Sequence, residues 1–131
     1  MNPTGVGVVI KNQKGEFLLH LRDGNTSRMP HQWCLVGGKI DEGEDVVSAA
    51  VRETKEETNF TLVNPEFVHV FKYEQWNIAL VVGEVDSDKE KLIKGEGADF
   101  QFISQSEVEV FLNSLDYSNA YLDELKTFTA V

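Results

Sequence analysis

Arg52, Glu53, Glu56 and Glu57, in the stretch RETKEET, set one arginine beside three carboxylates within six residues. On a helix at about 100° per residue, with Glu53 as zero, Glu56 falls at about −60° and Glu57 at about +40°. The three acids therefore share one face. Like charges at these spacings destabilise a helix by roughly 0.2–0.5 kcal/mol per pair. Near the carboxyl end they also oppose the macrodipole. One arginine cannot balance three anions. Two readings account for such a face. It is a solvated acidic surface, the usual meaning of a charge run. Or it is a divalent-metal site, because crowded carboxylates either raise one another's pKa or hold a cation. Hard oxygen ligands suit Mg²⁺ or Mn²⁺, above all where phosphate oxygens complete the shell.

The helix that carries these acids is predicted over residues 45–58. Val47, Ala50, Val51, Thr54 and Thr58 fill a neighbouring arc of about 60–160°, small and apolar enough to pack on a sheet. Thr54 is expected to hydrogen-bond back to its own helix. Gly37 and Gly38 let the backbone turn closely between a short strand, WCLVGG (33–38), and the loop before the helix. Glu44 stands just ahead of the helix, where its carboxylate can meet orphan amide donors, Arg52 or a metal.

Around this unit the pattern gives a Val-rich first strand over 5–12 and a turn with a second strand over 14–22. Residues 23–32 form a loop rich in turn residues. Two strands over 66–74 and 76–85 are joined by a tight turn, a charged loop spans 86–99, and a last strand covers 100–104. Two helices follow, near 105–115 and 118–128. The first carries Val108, Phe111, Leu112 and Leu115 at helical spacing. Mixed strands with few helices point to an α+β chain, a mixed sheet flanked by helices in an α/β/α sandwich.

The chain of 131 residues suits one domain, 1–131, and its 41% hydrophobic content suits one packed core. Its 22 acidic against 12 basic residues, net −10, argue against a broad nucleic-acid surface, which needs clustered Lys and Arg. Cys34 is the single cysteine, so no internal disulfide forms. The first residues lack the basic and long apolar segments of a signal peptide, and no apolar run approaches a membrane span of about 20 residues. The expectation is a cytoplasmic protein with no membrane partner.

Gly38, five residues, Glu44, seven residues, Arg52-Glu53, two residues, Glu56-Glu57: this composite resembles the Nudix box, GX5EX7REUXEEXGU, with U a bulky aliphatic residue. Two positions depart from it. Thr54 stands where an aliphatic residue is usual, and Asn59 where glycine is usual. Asn is the next best residue for the left-handed conformation that ends a helix, so Asn59 is expected at positive φ. Phe60 fills the final apolar slot. GVGVVIKNQKGEFLLHLR looks like the opening hairpin of Nudix domains, and WCLVGGK like the usual W-x-L-P-G-G-K entry with Val36 in place of proline.

The resemblance implies the Nudix fold and Mg²⁺- or Mn²⁺-dependent hydrolysis of a nucleoside diphosphate linked to another moiety, such as a nucleotide sugar or nucleoside triphosphate. It implies Glu53, Glu56 and Glu57 as metal ligands, with the Gly38 carbonyl as a further one. Arg52 is then an orienter of Glu44, and Glu96 a further ligand or base in the loop before the last strand. Arg22 becomes a candidate for phosphate contact and Asn119 for reading a base edge. A plain loop acid and a surface arginine are the alternative readings of Glu96 and Arg22, and a helix N-cap at Ser118 or Asn119 explains that stretch more cheaply than base recognition. The partner expected is a small nucleotide, and the assembly a monomer or homodimer. A catalytically silent nucleotide-binding module and an RNA-end pyrophosphohydrolase are the alternatives. The complete carboxylate set speaks against the first, and the acidity against the second.

Overall fold

A computed structural model describes residues 2–21, 33–92, 99–112 and 124. Within them the elements run β1 (Gly5–Lys11), β2 (Phe17–Leu21), β3 (Trp33–Cys34), β4 (Val36–Lys39), α1 (Val46–Thr58), β5 (Val63–Tyr73), β6 (Trp76–Glu84), β7 (Asp99–Ile103) and α2 (Gln105–Leu112). The sheet is mixed, in the order β3-β2-β1-β6-β5, with β4 also beside β1 and β7 beside β2.

β1 is the axis. It pairs parallel with β6 from Gly5↔Ile78 to Lys11↔Glu84, and antiparallel with β4 from Gly5↔Lys39 to Val8↔Val36. A strand covered on both edges and both faces reads as a near-continuous apolar run, which is why GVGVVI lacks clean alternation. The turn from β1 into β2 is tied by Asn12, whose Oδ1 accepts from the backbone N–H groups of Lys14 and Glu16. Gly15 completes it at φ 76°.

Helices cover the two faces. On one side Ala49 and Ala50 of α1 join Val6, Val8, Leu18, Val36, Phe60, Val81 and Phe100. On the other, Val108 of α2 joins Val9, Phe17, Leu19, Leu35, Phe71, Leu80 and Ile103. This is the expected α+β sandwich.

Two boundaries differ from the sequence reading. The expected single strand over 33–38 is broken at Leu35, because the chain changes partner there: β3 pairs with β2, and β4 with β1. β5 starts at Val63, three residues early, and its pairing with β6 slips between Val63 and Glu66 and again between Phe67 and His69. Asn64, at φ 53°, sits inside the first slip, and such bulges on an outer strand follow no sequence period. α2 is described as far as Leu112, and the second carboxy-terminal helix falls outside the described residues.

Candidate active site

The helix is fixed at both ends before any charge is considered. Asp45 is its N-cap, and its side chain accepts from Ser48 N–H at 2.7 Å. That cap leaves Glu44 available for other partners. At the other end Asn59 takes φ 71°, ψ −4°, and its N–H reaches Lys55 O at 2.9 Å. The asparagine thus stands in for the glycine of the box through a left-handed C-cap. Phe60 follows, fully buried.

Arg52 is the hub. Its Nε–H donates to Glu44 Oε2 at 2.8 Å and an Nη2–H to Glu44 Oε1 at 2.9 Å. This fork gives direction as well as energy. Nη1 donates to Glu53 Oε1 at 2.9 Å and to Glu56 Oε2 at 3.2 Å. Nη2 also donates to the Lys39 carbonyl at 2.9 Å, and Asp41 lies 3.5 Å from Nε. The Glu44 bond, first among these, raises the guanidinium pKa above its ordinary value. The same bond, followed by the Asp41 N–H, lowers the Glu44 carboxyl from 4.5 to about 2.

Glu53 behaves oppositely. Burial, the largest effect, pushes its carboxyl up, and the bond from Arg52 opposes this only in part. Its lodging explains the burial. A Cβ built on Gly38 would stand 2.5 Å from the Glu53 carboxylate, so the acid lies where any other residue would place a side chain. At Gly37 a Cβ would stand 2.1 Å from the Val6 carbonyl. The Gly37 N–H donates to Glu57 Oε2 at 3.2 Å. Gly38 therefore makes room for the Glu53 carboxylate, Gly37 for the neighbouring β1 backbone, and the Gly37 N–H holds Glu57. This also corrects the predicted faces: Ala49, on the acid side, is buried, while Val47 and Val51 are half-buried.

Thr54 departs from expectation. It is wholly buried, but its hydroxyl has no hydrogen-bond partner among the described residues. The bond back to the helix is made by Thr58, whose hydroxyl donates to the Thr54 carbonyl at 2.5 Å and accepts from Phe60 N–H at 3.1 Å.

Glu53 and Glu56 turn towards one Arg52 nitrogen, and Glu57 towards Gly37. Among the described residues no three His, Cys, Asp or Glu side chains converge closely enough to hold a metal ion. The donor chemistry still suits a hard cation: three carboxylates, of which Glu56 is 59% exposed and Glu53 is buried against its charge. Sequence reasoning missed Asp41, Asp45 and the Lys39 carbonyl. The first two carry a readable signal as acids flanking Glu44 in the turn; a backbone carbonyl carries none. Arg22, Glu96 and Asn119 lie outside the described residues.

Residues 1–123 match the family model described as NUDIX domain. Nudix hydrolase 5 of Arabidopsis thaliana is 35% identical over 69 residues, covering 53% of this chain and 22% of the plant protein. The chain thus spans about a fifth of that relative. An RNA pyrophosphohydrolase of Bartonella bacilliformis is 31% identical over 133 residues, covering 93% of this chain and 74% of the relative. Among solved structures, one from a study of MutT from Aliivibrio salmonicida and Vibrio cholerae superposes with a TM-score of 0.76 at 18% identity, over 96% of this chain and 94% of that one. At that identity the likeness is one of fold.

Proposed function

The chain belongs to the Nudix family of hydrolases, and we propose that it cleaves the diphosphate linkage of a nucleoside diphosphate joined to another moiety, with Mg²⁺ or Mn²⁺ as cofactor. Glu53 carries the reading. A carboxylate lodged on a glycine strand, pushed up by burial and only partly compensated by Arg52, is a poor structural acid and a good ligand for a second cation.

Glu53, Glu56 and Glu57, with the Gly38 carbonyl and Glu96, would hold that cation. When bound, it neutralises phosphate oxygens and acidifies water for attack on phosphorus. The rest is the work of this chain. Arg52 fixes Glu44 and the end of β4 at Lys39 through a fork and a carbonyl bond, which sets the helix against the strand. The Gly37 N–H holds Glu57 in direction. Arg22 and Asn119 are the substrate-contact candidates. The same reading takes 1–131 as one domain, a small nucleotide as substrate and the cytoplasm as compartment. No helix among the described residues is long and apolar enough to cross a membrane.

A second reading, the triphosphate end of an RNA, is favoured by the name of the Bartonella relative. The net charge of −10 opposes a long phosphate-gripping surface but not a short contact with one terminus.

The test is a hydrolysis screen of the purified chain. It covers nucleoside triphosphates, nucleotide sugars, dinucleoside polyphosphates and 5′-triphosphorylated RNA, each with Mg²⁺, with Mn²⁺ and with excess chelator. Turnover of at least one substrate, only with metal, is expected. Undiminished turnover in chelator overturns the proposal.

A further inference from the structure

We infer that Glu90 is a positioning residue for the metal-binding end of α1, a brace that fixes the last turn and with it the directions of Glu56 and Glu57; this rests on the hydrolase reading above. That turn has reason to be braced. Helix ends fray, and three acids near this carboxyl end oppose the macrodipole. A cation held by them needs ligands whose directions are set from outside. Glu90 comes from the segment after β6. Its Oε1 accepts from Thr61 N–H at 2.9 Å and its Oε2 from the Thr61 hydroxyl at 3.0 Å. The same Oε2 lies 3.7 Å from Lys55 Nζ. The Thr61 N–H, the largest of several causes, lowers the Glu90 carboxyl below its ordinary value.

Neighbouring bonds tighten the same knot. Lys55 Nζ donates to the Asn59 carbonyl at 2.9 Å, and the Asn59 side-chain amide to the Lys91 carbonyl at 3.4 Å. Glu90 thus ties Lys55, which precedes Glu56, to Thr61, which lies just past the cap. Lys55 falls at about 200° from Glu53 on the helix, the side away from the acids. The brace therefore touches none of the three proposed carboxylate ligands. It is anchored in turn. Asp86 Oδ1 accepts from the N–H groups of Asp88 and Lys89, and the Asp86 carbonyl from Glu90 N–H at 3.0 Å, so Glu90 stands on a turn of its own. Val85 N–H donates to the Lys11 carbonyl and Ser87 N–H to Gln13 Oε1. Leu92 packs on the core that holds Ala49 and Ala50. Through Glu90 the end of α1 is held to β1 and the turn that follows it.

Three variants separate bracing from plain stability. Glu90→Ala frees Thr61 and Lys55. Glu90→Gln keeps an acceptor for Thr61 N–H and a donor for its hydroxyl. Val108→Ala trims a buried side chain on the opposite face of the sheet and lowers stability without touching α1. Each is measured well below its melting temperature for Mn²⁺ affinity without substrate, which reads Glu90 with or without turnover, and for kcat and KM on the best substrate of the screen. Glu90→Ala is expected to raise the Mn²⁺ Kd by about 10-fold, as for loss of a group that orients metal ligands. Its kcat should fall while KM stays within about twofold, since Glu90 meets no substrate. Glu90→Gln is expected to recover most of both losses, and Val108→Ala to keep wild-type Kd and kcat despite a lower melting temperature. Unchanged Mn²⁺ Kd and kcat in Glu90→Ala overturn the assignment, as do losses of the same size in Val108→Ala. A wild type that neither binds Mn²⁺ nor hydrolyses any substrate overturns the hydrolase reading, and this inference with it.

Discussion

Two buried threonines one turn apart on α1 should answer the same substitution with opposite signs. Thr54 is fully enclosed and its hydroxyl has no hydrogen-bond partner among the described residues. Thr58 is as enclosed, but its hydroxyl gives to the Thr54 carbonyl and takes from Phe60 N–H. Val replaces the hydroxyl with a methyl of nearly equal size and keeps the branched Cβ, so cavity and rotamer effects stay small. Helix propensities of Thr and Val are close. What differs is desolvation. An unsatisfied buried hydroxyl costs about 1–3 kcal/mol relative to its hydrated state, and Thr54→Val removes that penalty. A gain of about 1 kcal/mol is expected, equivalent to roughly 3–4 °C in melting temperature for a chain of this size. Thr58→Val instead strands the Phe60 N–H at the helix end and removes one donor bond, a loss of about 1–3 kcal/mol. Urea unfolding with chelator present, reporting midpoint and slope, measures both. Destabilisation by Thr54→Val with an unchanged slope would falsify the view that its hydroxyl is a buried liability, and equal shifts of one sign would refute the assignment of partners.

Glu57→Gln should lower kcat by roughly 100-fold or more through loss of a transition-state contact, while apo stability holds or rises slightly, since the amide oxygen can still accept from Gly37 N–H and like-charge repulsion falls; thermal melts with and without Mg²⁺ and steady-state kinetics check this. Gly38→Ala should move the Glu53 carboxylate, whose atoms stand 2.5 Å from the new Cβ, so metal affinity in a Mn²⁺ titration should fall while the urea midpoint changes little. Glu44, lowered from 4.5 to about 2, contributes stability that is complete above pH 4.5 and lost as pH falls towards 2. Glu53, shifted upward, takes up its proton first on acidification, and that uptake favours the folded chain. The stability difference between wild type and Glu44→Gln should therefore be flat above pH 5 and shrink below 4.5; a difference independent of pH down to 2 would show that Glu44 gains nothing from Arg52.

Sequence by itself determined what depends on neighbours within a turn or two. The spacing Arg52…Glu56 put the guanidinium one turn from an acid, because helix geometry alone sets that offset, whereas Glu44 stands ahead of the helix and reaches Arg52 through the turn at Asp41–Glu44. Asn59 declared its left-handed cap from its own backbone preferences. The Val-rich run GVGVVI declared a strand, and the structure showed it covered on both faces. Contacts between distant segments belonged to the tertiary structure. Glu57 meets Gly37 across 20 residues and Glu53 lies on Gly38 across 15, through a register that no local period specifies. That register decided that Ala49 is buried, and the fold around α1 that Thr58 rather than Thr54 bonds back to the helix. The break at Leu35 comes from two partner strands competing for one segment. His20 illustrates the division most plainly: only the pairing of β2 with β3 and β7 sets its ring on buried Phe100. Helix periods and caps are short-range physics written in consecutive residues; strand register is settled by burial summed over the whole sheet.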